Sequence, residues 1–161
     1  MAGTTSWLAH SPSRSGRQDP LREHLTSVAE RAALYAEAFG AAEEARVAGL
    51  LHDVGKYSDL FQRRLEGKEQ HIDHWSAAAC LALKHLKQRG VTVAWAVRGH
   101  HLGLDSLSDL RDLCRATDLA DFVGKREGRR LSEPSVEVLL KRLLADGIEL
   151  PALQDSVVET L

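Results

Sequence analysis

At 161 residues, 43% of them hydrophobic, the chain is long enough to bury one core, and a single domain over residues 1–161 is expected. Lysine and arginine number 21 against 23 aspartates and glutamates. The resulting net charge of −2 excludes a generally basic nucleic-acid coat or an electrostatic membrane anchor, so any contact with a polyanion must be local.

The opening residues are broken by Thr4, Thr5, Ser6, His10 and Pro12. No window approaches the roughly 18 apolar residues of a membrane span, so neither a signal peptide nor a membrane helix is expected. Asp19 as N-cap, Pro20 at the first helical position and Gly40 as a stop predict a helix from Pro20 to about Phe39. Leu21, Leu25, Val28, Ala32, Tyr35 and Phe39 form its expected buried stripe, with His24 on or beside that face.

A second helix is expected from Ala42 to Val54, ended by Gly55, with His52 and Asp53 in its last turn. A short helix over Ser58–Glu66 follows. Asp73 is the expected N-cap of a helix from His74 to about Gln88, and Gly90 separates it from an element over Thr92–His101. A longer helix is expected from Ser106 to Lys125, and a last one opens at Ser132 or Glu133 and ends at Gly147. No strand-like alternation and no repeat is visible, so the class is all-α, a helical bundle with short connections. Cys80 and Cys114 fall inside helical patterns and form no CxxC pair, which fits a reducing cytoplasm. The run KREGRR at 125–130 is the one dense basic stretch, either a solvated loop or a patch for a phosphate backbone.

Eight histidines in a chain with 5% aromatics carry the chemistry. His24, the pair His52-Asp53, His74 and the pair His100-His101 fall on four expected helices. Facing helices of a bundle are a usual place to build a metal site. Five imidazoles and a carboxylate exceed the shell of one tetrahedral zinc, so two ions bridged by Asp53 are the natural reading. An imidazole-rich shell suits transition metals, and a pair of such ions activates water and neutralises charge on a phosphoryl group. Lys56, one turn after His52, is placed to reach a non-bridging phosphate oxygen. His85 reads as a helix-surface residue and His71 as a loop residue. No GxGxxG, Walker loop or nucleophile elbow is present.

LREHLTSVAE, AGLLHDVGKYSDLFQRRLEG, IDHWSAAACLALKHL and VRGHHLGL, together with the opening WLAHS and the spacing of RLLADGIELPAL, resemble the HD domain of the type I CRISPR-associated nuclease-helicase. The resemblance covers nearly the whole chain. In that family a helical, metal-dependent nuclease cuts single-stranded DNA supplied by a helicase after a guide complex has opened the target. The resemblance implies that His24, His52 and Asp53 hold one metal and that Asp53, His74, His100 and His101 hold the second. Asp53 and Lys56 are then the catalytic residues, Lys56 as accessory base or phosphate contact. It further implies two divalent ions, Mn, Ni, Co or Fe with Mg or Zn as alternatives, and a cytoplasmic protein. Its partners would be single-stranded DNA, a helicase domain or subunit and a CRISPR guide-RNA surveillance complex.

Three departures from the family pattern stand out. Trp75 replaces a usual Ser and Leu102 a usual Gly, both narrowing the mouth of the site. The family also closes its first metal site with an aspartate on a later helix, in a stretch like Asp-Ala-Asp-Arg, and none lies before Leu161. Asp118 or Asp121 can stand in, or the chain is a piece ending before that helix. Two other readings use the same residues: an HD phosphohydrolase acting on nucleotides, and a degenerate HD module that binds a helicase or guide-complex partner.

Overall fold

The computed structural model describes residues 6–103, 106, 108, 111, 112, 115, 119 and 129–151. Over these the fold is all-α, built from α1 (Leu21–Ala36), α2 (Ala42–Leu51), α3 (Asp59–Leu65), α4 (Trp75–Leu86), α5 (Gly90–Leu102) and α6 (Val136–Ala145). Tight 3₁₀ turns occupy Glu37–Phe39, Val54–Tyr57 and Lys87–Arg89. The helix expected over Ser106–Lys125, with Cys114, Asp118 and Asp121, lies almost wholly outside the described residues. Only Arg129 and Arg130 of the basic run are described.

The core joins Leu21, Leu25 and Ala29 of α1 to Val47 and Leu51 of α2, Ala78 and Leu81 of α4, Val93 and Val97 of α5, and Leu139 and Leu143 of α6. Leu21 and Leu25 are buried as expected, but the stripe continues through Ala29 and Ala33, an i, i+4 row, and not through Val28, Ala32, Tyr35 and Phe39. Val28 and Ala32 are half-buried, whereas Tyr35 is 75% and Phe39 84% exposed. The reason is close packing. A Cβ at Gly49 of α2 would stand 2.4 Å from the Ala29 Cα, so the helices approach where only small residues fit.

The start of α1 also differs from expectation. Pro20 is the N-cap, in extended conformation, and no side chain caps the helix. Residues 7–9 form a strap against 19–21: Leu8 bridges Pro20, the Ala9 amide donates to Asp19 O at 2.9 Å, and the Leu21 amide donates to Trp7 O at 2.8 Å. Trp7 O thus satisfies a free amide of the first turn, and the Asp19 side chain is released for other work.

No strand was expected, yet Ile72–Asp73 (β1) and Arg130–Leu131 (β2) pair in parallel. Two residues are too few for an alternating pattern to register in sequence. Asp73 is accordingly not the N-cap of α4; His74 is, and the helix begins at Trp75. From one position earlier the Asp73 carboxylate still accepts from the amides of Trp75 at 3.1 Å and Ser76 at 2.9 Å, and from Ser76 Oγ at 2.6 Å. The last helix opens at Ser135, whose hydroxyl accepts from Val138 N, and not at Ser132 or Glu133, because Ser132 N donates to Asp73 O in continuation of the β pairing. Gly147, at φ +81°, ends that helix as expected. No helix among the described residues is long and apolar enough to cross a membrane.

Candidate metal centre

Side chains one apart in a regular helix point about 100° away from each other, so a His-Asp pair aimed at one spot needs a break in the helix. Here α2 stops at Leu51, His52 is its C-cap, and Asp53 turns the chain into the 3₁₀ segment Val54–Tyr57. His52 Nε2 then lies 3.1 Å from Asp53 Oδ2. His24, from the first turn of α1, brings its Nε2 to 3.3 Å from the same oxygen.

The other carboxylate oxygen faces the opposite way. His74 Nε2, at the N-cap of α4, is 3.1 Å from Asp53 Oδ1, and His100 Nε2, in the last turn of α5, is 3.6 Å from it. His101 Nε2 stands 2.8 Å from His74 Nε2. All six expected ligands therefore meet, in two groups that share Asp53: His24, His52 and Asp53, and Asp53, His74, His100 and His101.

Gly55 is what lets α4 in. A Cβ there would fall 2.1 Å from His74 O, so the 3₁₀ turn and the α4 N-terminus touch backbone to backbone. Phe61 of α3, placed by the Ser58 hydroxyl that caps that helix, packs on the His74 ring with centroids 4.8 Å apart, and Trp75 packs on His101 at 4.5 Å.

Hydrogen bonding settles which ring nitrogens hold lone pairs. A backbone carbonyl can only accept, so His52 Nδ1 donates to Gly49 O at 2.7 Å and His100 Nδ1 donates to Val97 O. Each Nε2 is then a bare acceptor turned inward in the neutral ring. His52 Nε2 faces Asp53 Oδ2 at 3.1 Å and His100 Nε2 faces Asp53 Oδ1 at 3.6 Å, and Oδ1 is buried without a hydrogen-bond partner. Lone pairs facing one another around a buried carboxylate repel unless a cation lies between them. The donor set therefore fits divalent metal. Backbone acceptors on the outer nitrogens are the support such ligands usually have.

Burial pushes the Asp53 carboxyl up, but the close imidazoles of His100, His24, His52 and His74 outweigh it and hold the group well below the ordinary carboxylate range. Burial lowers His74, and burial with the neighbouring His74 and His100 lowers His101 to about 3, so both rings are neutral and free to donate a lone pair near neutral pH.

Lys56, expected to be free for a phosphate, is 6% exposed and turned inward. Its Nζ pairs with Asp53 Oδ2 at 2.8 Å and donates to Ala9 O at 2.9 Å, leaving one of three N–H donors. His85 and His71 are exposed and outside the cluster, as expected. A groove of about 770 Å³ borders the centre, lined by His74, His101, Lys56, Arg64, Phe61, Trp75 and Arg129 among others. Arg64 lies over the Phe61 ring at 5.2 Å and Arg129 over Trp75 at 5.2 Å. Sequence reasoning left His10 unassigned and missed the placement of Ala9 and Asp19, because only the strap brings these residues beside His24 and Lys56.

The chain matches the HD domain family over residues 21–143, a span that holds every histidine of the centre. No curated protein and no solved structure matches it.

Proposed function

The chain belongs to the HD domain family, and from that premise we propose that it is a metal-dependent phosphodiesterase that cuts single-stranded DNA in CRISPR interference. HD domains are typically metal-dependent hydrolases, and the His/Asp cluster of this one can hold metal. The observation that carries the reading is the two-sided carboxylate, Asp53 Oδ2 faced by His24 and His52, and Oδ1 by His74 and His100.

In this reading His24, His52 and Asp53 hold one ion, and Asp53, His74, His100 and His101 the other. When bound, the ions supply water activation and Lewis-acid stabilisation of charge on the phosphoryl oxygens. The chain's own residues do the rest. Asp53 stays ionised and joins the two halves of the site. Lys56 holds the Asp53 carboxylate and keeps one donor for a phosphate oxygen. Phe61 and Trp75 brace the rings of His74 and His101. Arg64 and Arg129 supply the local positive charge that the overall balance of −2 denies the rest of the surface.

The pocket beside the centre, lined by Lys56, Arg64 and Arg129, places positive charge where a phosphodiester would meet His74 and His101. The CRISPR assignment, with a helicase domain or subunit and a guide-RNA surveillance complex as partners, is supported by the motif resemblance around all six site residues.

The test is incubation of the purified protein plus Mn or Ni with labelled single-stranded DNA, double-stranded DNA and a nucleotide panel. Metal-dependent cleavage of the single strand is expected, lost to background in Asp53→Ala and unchanged in His85→Ala. Cleavage retained in Asp53→Ala refutes the bridging role. Hydrolysis of nucleotides without cleavage of DNA assigns a small-molecule phosphohydrolase, and failure to retain any metal points to a binding module.

A further inference from the structure

We propose that Asp19, steadied by His10, is a positioning residue for His24. It would orient the His24 imidazole so that its Nε2 lone pair points at the first metal position. The proposal rests on the metal-centre reading above, and it starts from an asymmetry among the histidines.

His52 and His100 each sit at the C-terminal end of a helix and anchor Nδ1 on the carbonyl three residues back, Gly49 O and Val97 O. Gly49 is in the last turn of α2, and a carbonyl inside a helix such as that of Val97 keeps a second lone pair, so these two rings find their acceptors in their own backbone. His24 is in the first turn of α1, where the free groups are amides. The acceptor that faces its Nδ1 comes instead from a side chain.

The strap supplies one. Asp19 Oδ2 lies 4.0 Å from His24 Nδ1, a distance that a small side-chain rotation or one bridging water closes into an N–H···O link. The same oxygen accepts from His10 Nδ1 at 2.7 Å, and the His10 ring stands edge-on to the His24 ring with centroids 5.0 Å apart. Asp19 cannot drift, because its carbonyl accepts from Ala9 N and its neighbour Pro20 is bridged to Leu8. A carboxylate just ahead of α1 is also favoured by the positive end of the helix dipole. Asp19 was expected to cap α1; with Trp7 O on the Leu21 amide, its carboxylate is free to serve His24.

His10, Asp19 and His24 also have the spacing of a separate metal group. The positioning role is favoured over that alternative because His24 Nε2 already faces Asp53 and His52, and a ring that bound ions through both nitrogens would have to lose both protons.

The metal-stripped chain of residues 1–161, titrated with Co(II) and followed by visible absorption against a competing chelator, tests this. Two binding steps are expected, one of which His24→Ala removes. Asp19→Asn should weaken that same step by about ten- to a hundredfold, leaving the other step and the metal-free melting temperature unchanged; Asp19→Glu should recover part of the loss. His10→Ala should weaken it less.

The proposal is overturned if Asp19→Asn leaves both steps intact, or if it weakens both alike together with the metal-free melting temperature. A third Co(II) that vanishes in Asp19→Asn assigns a separate ion site and also overturns it. If His24→Ala and His52→Ala both leave Co(II) binding intact, the metal centre itself fails and this role with it; weakening by those two but not by Asp19→Asn removes only the role of Asp19.

Discussion

Tyr57 closes the inner side of the 3₁₀ turn that carries Lys56, and its hydroxyl donates to Asp146 Oδ2 at 2.7 Å. Burial, reinforced by the Asp146 carboxylate, pushes the phenol well above its ordinary value of about 10. Raising a folded-state value favours the protonated form. The stabilisation is therefore complete below about pH 10 and is lost as pH climbs from there toward the folded value. Tyr57→Phe keeps the packing and removes the bond, so a loss of about 1 to 2 kcal/mol is expected in urea unfolding at pH 7. The gap between the two proteins should shrink above pH 10; a constant gap at alkaline pH would show that the phenol proton is not involved. A single side chain of this kind leaves no trace in a sequence, since Asp146 is 89 positions away.

The contact between the Val54–Tyr57 turn and the start of α4 is governed by an absent side chain. At Gly55 a methyl group would meet His74 O, Cα and C at 2.1 to 2.8 Å, all backbone, so one element has to move. Gly55→Ala is expected to cost about 3 kcal/mol, the upper end of overpacking, and to weaken metal binding by displacing His74; melting temperature and metal titration read the two effects separately. Gly99, inside α5, has nothing within 4 Å of the corresponding position. Gly99→Ala should raise stability by up to about 1 kcal/mol through helix propensity, and a melting curve decides the sign. Gly55 was expected to stop a helix reaching Val54, but α2 already ends at Leu51 and Gly55 lies within the 3₁₀ turn, where its role is the close approach. The stripe of α1 failed in the same way: the 3.6-residue period shows that a helix has an apolar face, but rotating that face by one residue, from Val28 to Ala29, depends on the close pass of Gly49.

The centre draws on residues from His24 to His101, on α1, the turn after α2, the start of α4 and the end of α5, so it exists only when the bundle is closed. An ion that binds the folded chain and not the unfolded one stabilises by mass action, about 2.7 kcal/mol at a hundred times its dissociation constant. For a domain of this size that corresponds to a melting temperature higher by about 5 to 10 °C with Mn or Ni, reversed by a chelator and absent in Asp53→Ala. An unchanged melting temperature over a saturating titration would count against a centre spanning the bundle. The helical class, most element positions and all six candidate ligands were legible from the order of residues, because helix periodicity and capping act over a few positions and ligand chemistry belongs to the residue type. Which ring nitrogen turns inward, the engagement of Lys56 by Asp53 and Ala9, and the arrival of Asp19 and His10 beside His24 were not. Those depend on contacts between residues tens of positions apart, on the polarity of helix ends and on backbone clearances below 3 Å, quantities that come into being only when the helices have packed.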